Sequence, residues 1–253
     1  MRRTPNCFLV GSLLMLFCFL SLLVPSAGPR LEAARAGAVV EGRIELLNPK
    51  LKLRSGKGDA SGVVVWLEGT SNGHSRAAHL RRTLTQKDKR FSPHVVAIPA
   101  GSEVDFPNED PFFHNVFSLY NGRRFDLGLY ASGETRPVVF SRPGISYIFC
   151  NIHPQMSAVV VALDTPLFGV SEVDGHFTIN DVPEGKYRLQ IWHERSDPEQ
   201  LAAQTRPVQV TGSRLDLGVI KLDEQGYISR PHRNKFGEDY RRETDSRPYK
   251  KTG

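Results

Sequence analysis

Four side chains in the 253-residue sequence have the types and spacing for metal chemistry. Cys150, His153 and Met156 share the run CNIHPQM, and His114 stands upstream in NEDPFFHNVFS. A thiolate, two imidazoles and a thioether make the mixed donor set that suits copper moving between Cu(I) and Cu(II). The thiolate bonds covalently, the imidazoles accept either oxidation state, and a weak axial thioether favours the reduced ion. Taken singly, each residue has a commoner explanation: a lone cysteine is a small buried hydrophobe, a lone methionine fills a core, and a lone histidine is a satisfied strand-edge residue. Their order on two connections favours a shared metal. Structural zinc calls for more thiolate or carboxylate and has no use for Met156. A binuclear copper centre needs a second cysteine, and a multicopper oxidase needs further His-x-His pairs, which the sequence lacks. The expectation is one mononuclear copper site in a protein that is not an enzyme.

The cysteine count supports this. Arg2 and Arg3 precede an uncharged apolar run from Cys7 to Val24, followed by small residues with candidate cleavage sites after Ala27 and Ala36. This reads as an export signal over 1–36, with 7–24 kept as an anchor if cleavage fails. Cys7 and Cys18 lie within it, so Cys150 is the one cysteine of the exported part and has no disulfide partner there. A lone thiol in an oxidising compartment must be buried or coordinated. The protein is therefore expected to be exported, to the periplasm, and to meet a membrane only if the leader stays uncleaved. Arg2, Arg3, Arg30 and Arg35 against Glu32 give the leader +3 of the formal +6, leaving +3 for residues 37 onward. These bases do not interleave with aromatics, so no nucleic-acid partner is expected.

The elements that must hold the four side chains read as strands. The 17 prolines and 22 glycines punctuate short apolar runs, which predicts an all-β protein. From 82 to 163 the segments TLTQKDKRF, HVVAIPAG, SEVDFPNED, HNVFSLY, RPVVFSRPG, ISYIFC and SAVVVALD, broken by PAG, NED, YNG and RPG turns, fit a Greek-key sandwich. His114 opens one strand, and the Cys150 loop joins two others. Asn115 is the expected lock between the two ligand loops, since its amide both donates and accepts. Phe125-Asp-Leu-Gly128 with Tyr130 reads as a structural turn under the site. Residues 38–70 carry two strands, and 164–222 carry further ones around Asp174-Gly175 and Pro183-Glu-Gly185. From 223 to 253 the chain is charged and poor in apolar residues, which predicts a mobile tail. His74, His79, His94, His176, His193 and His232 read as solvated or strand histidines.

Two resemblances sharpen the reading. Phe91-Ser-Pro93, Pro99-Ala-Gly101, Asn108-Glu-Asp110, His114-Asn115-Val116, Pro143-Gly144 and Cys150-x-x-His153-x-x-Met156 resemble the cupredoxins, amicyanin and plastocyanin above all, with the short loop spacing of amicyanin; Phe125-Asp-Leu-Gly128 with Tyr130 resembles a stretch of plastocyanin-like, methylamine-utilisation-type proteins. The likeness covers about a third of the chain. It implies copper ligation by His114, Cys150, His153 and Met156, and an inter-loop hydrogen bond from Asn115. Asp174-Gly-His-Phe177-Thr-Ile179 and Val182-Pro-Glu-Gly185-Lys-Tyr187-Arg-Leu189 resemble the carboxypeptidase regulatory-like (transthyretin-like) β-sandwich. That family's opening strands are missing from 164–222, but Gly42–Leu46 and Val63–Leu67 are similar to them. The expectation is a cupredoxin sandwich plus a second, smaller sandwich whose halves are 38–70 and 164–222; the alternative is that 38–70 extends the first sheet.

Functionally, the resemblance implies an electron carrier between redox partners such as a c-type cytochrome or a periplasmic dehydrogenase. His153 would be the exit and Phe112, Phe113 and Pro154 an apolar docking rim. The rival reading is a copper chaperone, store or sensor that shuttles no electrons, with the second sandwich binding a partner or a glycan. A third is a metal-free adhesion module.

Overall fold

The computed structural model describes residues 37–69, 79–119, 122–225, 227 and 232–240. The expected leader, with Cys7 and Cys18, and the loop carrying His74 lie outside these residues. The regular secondary structure of the described part is strand apart from one short helix.

Residues 38–70 contribute β1 (Ala38–Leu47) and β2 (Val64–Gly69). Next come β3 (Arg81–Thr83), β4 (Thr85–Lys87), β5 (Arg90–Ser92), β6 (Val95–Pro99), β7 (Ser102–Pro107) and β8 (His114–Ser118). β9 (Phe125–Tyr130), β10 (Thr135–Phe140), β11 (Gly144–Phe149) and β12 (Ser157–Leu163) follow. Two sheets of order β10-β7-β3 and β6-β12-β11-β8-β9 face each other, with β4 and β5 forming a hairpin at the side. Strand periodicity shows why. In β7 the side chains of Ser102, Val104 and Phe106 point inward while Glu103 and Asp105 point out. Val104 and Phe106 meet Ile98, Val116, Ile148 and Val160 from the facing sheet in one core.

The remaining strands are β13 (Phe168–Val170), β14 (His176–Val182), β15 (Gly185–Trp192), β16 (Arg206–Val210) and β17 (Arg214–Asp223). They pair with the strands of 38–70: β1 lies between β14 and β17, and β2 lies between β13 and β15. The sheets β14-β1-β17 and β13-β2-β15-β16 enclose a second core of Val40, Ile44, Val65, Leu67, Ile179 and Leu189 among others. The turn before β14 needs Gly175: its φ is +88°, and a Cβ there would stand 2.1 Å from the carbonyl oxygen of Ile44.

Two runs in the sequence are apolar without alternation, Val63–Leu67 and Ala158–Leu163. Both are buried on two faces. In β12, Ala158, Val160 and Ala162 enter the first core, while Val159, Val161 and Leu163 turn to a third cluster with Val64, Ala97 and Trp192. In β2, Val65 and Leu67 enter the second core and Val64 joins the third. The two sandwiches thus pack back to back, which is why these strands read as continuous hydrophobic runs.

One short helix, α1 (Pro198–Ala203), was absent from the strand reading. Asp197 caps it by accepting from the Glu199 N–H at 2.8 Å, with proline in the first turn. The segment Phe125–Tyr130 is also not a turn. It is β9, the edge strand beside β8, kinked at Gly128 with φ +68°.

Candidate metal centre

Strand β8 begins at His114, and β11 ends at Phe149, directly before Cys150. Phe149 pairs with Phe117, so the two strands deliver His114 and Cys150 to the same end of the sandwich. The loop then returns on itself. The Met156 N–H donates to the His153 carbonyl at 3.1 Å, and the Cys150 N–H donates to the Met156 carbonyl at 3.3 Å. This tight turn places His153 beside Cys150. Cys150 Sγ lies 3.7 Å from His114 Nδ1 and 3.7 Å from His153 Nδ1. Ligand atoms of the three residues lie within 4.8 Å of one another. The imidazoles meet edge to face, 4.9 Å between ring centroids.

His114, Cys150 and Met156 are fully buried, and His153 is half-buried. Met156 belongs to the same core as Cys150. Bond lengths of about 2.0 Å to nitrogen and about 2.3 Å to sulfur put the two donors about 3.7 Å apart at a trigonal angle, and about 3.5 Å at a tetrahedral one. The observed 3.7 Å separations are of this size, which leaves room for one ion between the donors.

The sequence reading missed Asp110. Its carboxylate accepts from His114 Nε2–H at 2.7 Å, and both groups are buried. That contact leaves His114 Nδ1 with its lone pair facing the thiol. Asp110 is itself anchored by the N–H groups of Asp88 and Lys89 at 2.7 and 3.0 Å, while Asn108 holds the Asp110 N–H at 3.1 Å. Burial pushes the Asp110 carboxyl up, but those donors and His114 outweigh it, so it sits below the ordinary carboxylate range. The available signal was Asn-x-Asp four residues before a histidine.

The thiol is treated likewise. Burial raises its pKa, yet His114 and the backbone N–H groups of Asn115, Ile152 and His153 bring it below the ordinary value. Burial pulls His114 down, but Cys150 and Asp110 raise it above the ordinary histidine value.

Asn115 requires a correction. Its side chain does not bridge the ligand loops; it donates to Asp126 Oδ1 at 2.7 Å and to the Gly128 carbonyl at 2.9 Å. It locks β8 to β9, because the kink at Gly128 turns those acceptors toward it. The link to the Cys150 loop runs through the Asn115 backbone instead.

Phe112 touches both imidazoles, at ring separations of 5.2 Å from His114 and 5.7 Å from His153. Phe112 is 37% exposed, Phe113 is 58% exposed and Pro154 is exposed; Phe112 packs against the half-buried His153, Pro154 follows it in the chain, and Phe113 follows Phe112. Of the other histidines, His193 is buried and paired with Glu224 at 2.8 Å, so it is not a solvated histidine, while the exposed His94 bonds Glu194 at 2.6 Å. His232 is stacked on Phe149 with centroids 4.1 Å apart.

No protein-family model and no curated protein matches the sequence. Solved structures do match. A copper-containing nitrite reductase from Thermus scotoductus is 25% identical over 39% of this chain and 26% of that one, with TM-score 0.33. The chain thus spans about a quarter of that enzyme's length. A purple cupredoxin from Nitrosopumilus maritimus is 22% identical over 32% of this chain and 99% of that one, with TM-score 0.30. Amicyanin from Paracoccus versutus is 20% identical over 38% and 97%, with TM-score 0.30. The strand order around the converged histidines and thiol makes residues 81–163 a cupredoxin-like sandwich. The expectation that the protein is not an enzyme is corrected: an enzyme, the nitrite reductase, stands among the matches.

Proposed function

We propose that the chain is an exported protein with one mononuclear type 1 copper site that carries single electrons. The observation that carries this reading is the pair of 3.7 Å separations from the Cys150 sulfur to two imidazole nitrogens, buried at the end of a sandwich. Copper bound there would supply a one-electron couple. His114, Cys150, His153 and Met156 would hold it, the thioether being the weakest donor of the four. The protein's own part is to keep those donors fixed. Asp110 fixes the tautomer and ring angle of His114, the tight loop fixes His153 against Cys150, and the surrounding apolar core excludes water. Donors set in advance need not rearrange when charge changes.

The half-buried His153 within the Phe112, Phe113 and Pro154 rim is the proposed exit, facing a c-type cytochrome or a dehydrogenase in the periplasm. We also read the copper sandwich as inserted between the halves 38–70 and 164–222 of a second, transthyretin-like sandwich, which the pairings of β1 and β2 support. Metal analysis and an optical spectrum of the purified full chain test the proposal. One copper per chain, intense visible absorption and a reversible potential are expected. Colourless binding of Cu(I) alone would instead indicate a chaperone or store.

A further inference from the structure

The stretch from His232 to Tyr240 was expected to belong to a mobile tail. It lies instead on the loop that carries Cys150 and His153. The Tyr240 hydroxyl donates to the Cys150 carbonyl at 2.6 Å. It also meets His232 Nδ1 at 3.1 Å, and the two rings pack edge to face. His232 stacks on Phe149, the residue before Cys150, and faces the backbone of Pro154 after His153. The Lys235 N–H donates to Asn151 Oδ1 at 2.8 Å, and its ammonium reaches Asp126 Oδ2 at 2.7 Å. Asp126 holds the Asn115 amide, which locks the His114 strand. Asn234 closes the segment on itself by accepting from the Phe236 and Glu238 N–H groups, both at 2.9 Å.

One nine-residue segment therefore touches the strand before the thiol, the thiol residue's own carbonyl, the residue after it, and the clamp on His114. The orientation of the Cys150 carbonyl sets the peptide plane between 150 and 151. That plane begins the turn whose next two peptide units bring the Ile152 and His153 N–H groups to the sulfur. We infer that His232–Tyr240 is a strap that positions the ligand loop, with Tyr240 and His232 as positioning residues for the metal centre.

This inference rests on the copper reading only for part of its test. The full chain is compared with Tyr240→Phe, His232→Ala and a truncation after Tyr227, each checked for folding by thermal melting. In copper-loaded protein, Tyr240→Phe is expected to move the visible band and to speed copper loss to a chelator about fivefold, the scale of one lost hydrogen bond. In metal-free protein, alkylation of Cys150 by iodoacetamide should rise by a similar factor, and more in the truncation. If the wild-type chain takes no copper, the metal reading fails while the alkylation rates still judge the strap. Tyr240→Phe and His232→Ala variants with wild-type band, copper release and alkylation rate would overturn it. If truncation lowers the melting temperature sharply, Tyr240→Phe alone decides.

Discussion

The two sandwiches treat buried polar groups in opposite ways. In the second, Glu224 is 1% exposed yet fully satisfied: it accepts from His193 at 2.8 Å, from Arg195 at 2.7 Å and from the Lys50 N–H at 2.5 Å. Burial raises the Glu224 carboxyl, but the Lys50 N–H and its two side-chain partners more than compensate, keeping it below the ordinary range. In the first sandwich, the Cys150 sulfur lies 3.7 Å from one nitrogen of each of two imidazoles, a long contact with room for an intervening ion. Buried polar groups that satisfy one another hold a fold. Those that converge on a shared point are arranged for something else.

The largest effect that sharpens this contrast is Cys150→Ser. It should abolish the visible absorption and copper binding, yet change metal-free stability by no more than about 1 kcal/mol, since the polar end is not what holds the sandwich. A titration with copper followed by chemical unfolding reads both. Glu224→Ala should do the reverse. Stability should fall by about 3–5 kcal/mol, because His193 and Arg195 lose a buried partner, while the absorption per bound copper stays unchanged. If Glu224→Ala bleached the copper band, the two regions would not be separable.

Asp110→Ala should come next. Without the carboxylate, His114 loses its orienting contact, and copper affinity should drop about 10–100-fold in competition with a chelator. Affinity equal to wild type would show that the 2.7 Å contact is incidental to the site.

The join between the sandwiches gives a pH signature. His94, bonded also to the Ser157 carbonyl at 3.1 Å, reaches across to Glu194 at 2.6 Å. The Glu194 hydrogen bond raises His94 above the ordinary histidine value. Burial pushes Glu194 up, but His94 brings it below the ordinary carboxylate value. The contribution of His94 is present below the ordinary histidine value and is lost as pH rises through the raised one. That of Glu194 is present above the ordinary carboxylate value and is lost as pH falls through the depressed one. Stability from this pair should therefore peak on the mildly acidic side and decline toward alkaline pH. His94 is 43% exposed, so the change should be small, and His94→Gln should flatten it in melts taken across pH. Smallest of all in stability is Phe113→Ser, a change at a 58% exposed ring. It should leave melting and absorption alone and slow electron exchange with a redox partner several-fold, measured by stopped flow.

Much of the fold was legible because strand periodicity is local. Ser102–Pro107 alternates residue by residue, and the unbroken apolar run Ala158–Leu163 reads as a strand. The grouping of His114, Cys150, His153 and Met156 was legible from order and strand context. What escaped depended on distant or atypical partners. The strand Phe125–Tyr130 is interrupted by Gly128, so it reads as a turn until β8 is beside it. Asp110 looks like turn chemistry until its oxygen is seen on His114. The His232–Tyr240 segment is drowned in charge, and composition averages away the two or three rings that dock it. Asn115 was assigned a bridge that its short side chain spends on β9 instead.

Residue types and local spacing alone determined that this chain makes strands, that it holds one cysteine beyond its first 18 residues, and that this cysteine keeps company with two histidines and a methionine. Chemical identity and period are properties of neighbouring residues, so they are written in the chain. The tertiary structure alone decided that β1 and β2 pair with strands more than 100 residues away, that a buried carboxylate backs His114, and that a C-terminal segment lies on the thiol's loop. Those contacts depend on which surfaces are left over once the sheets have closed, and no local pattern records that remainder.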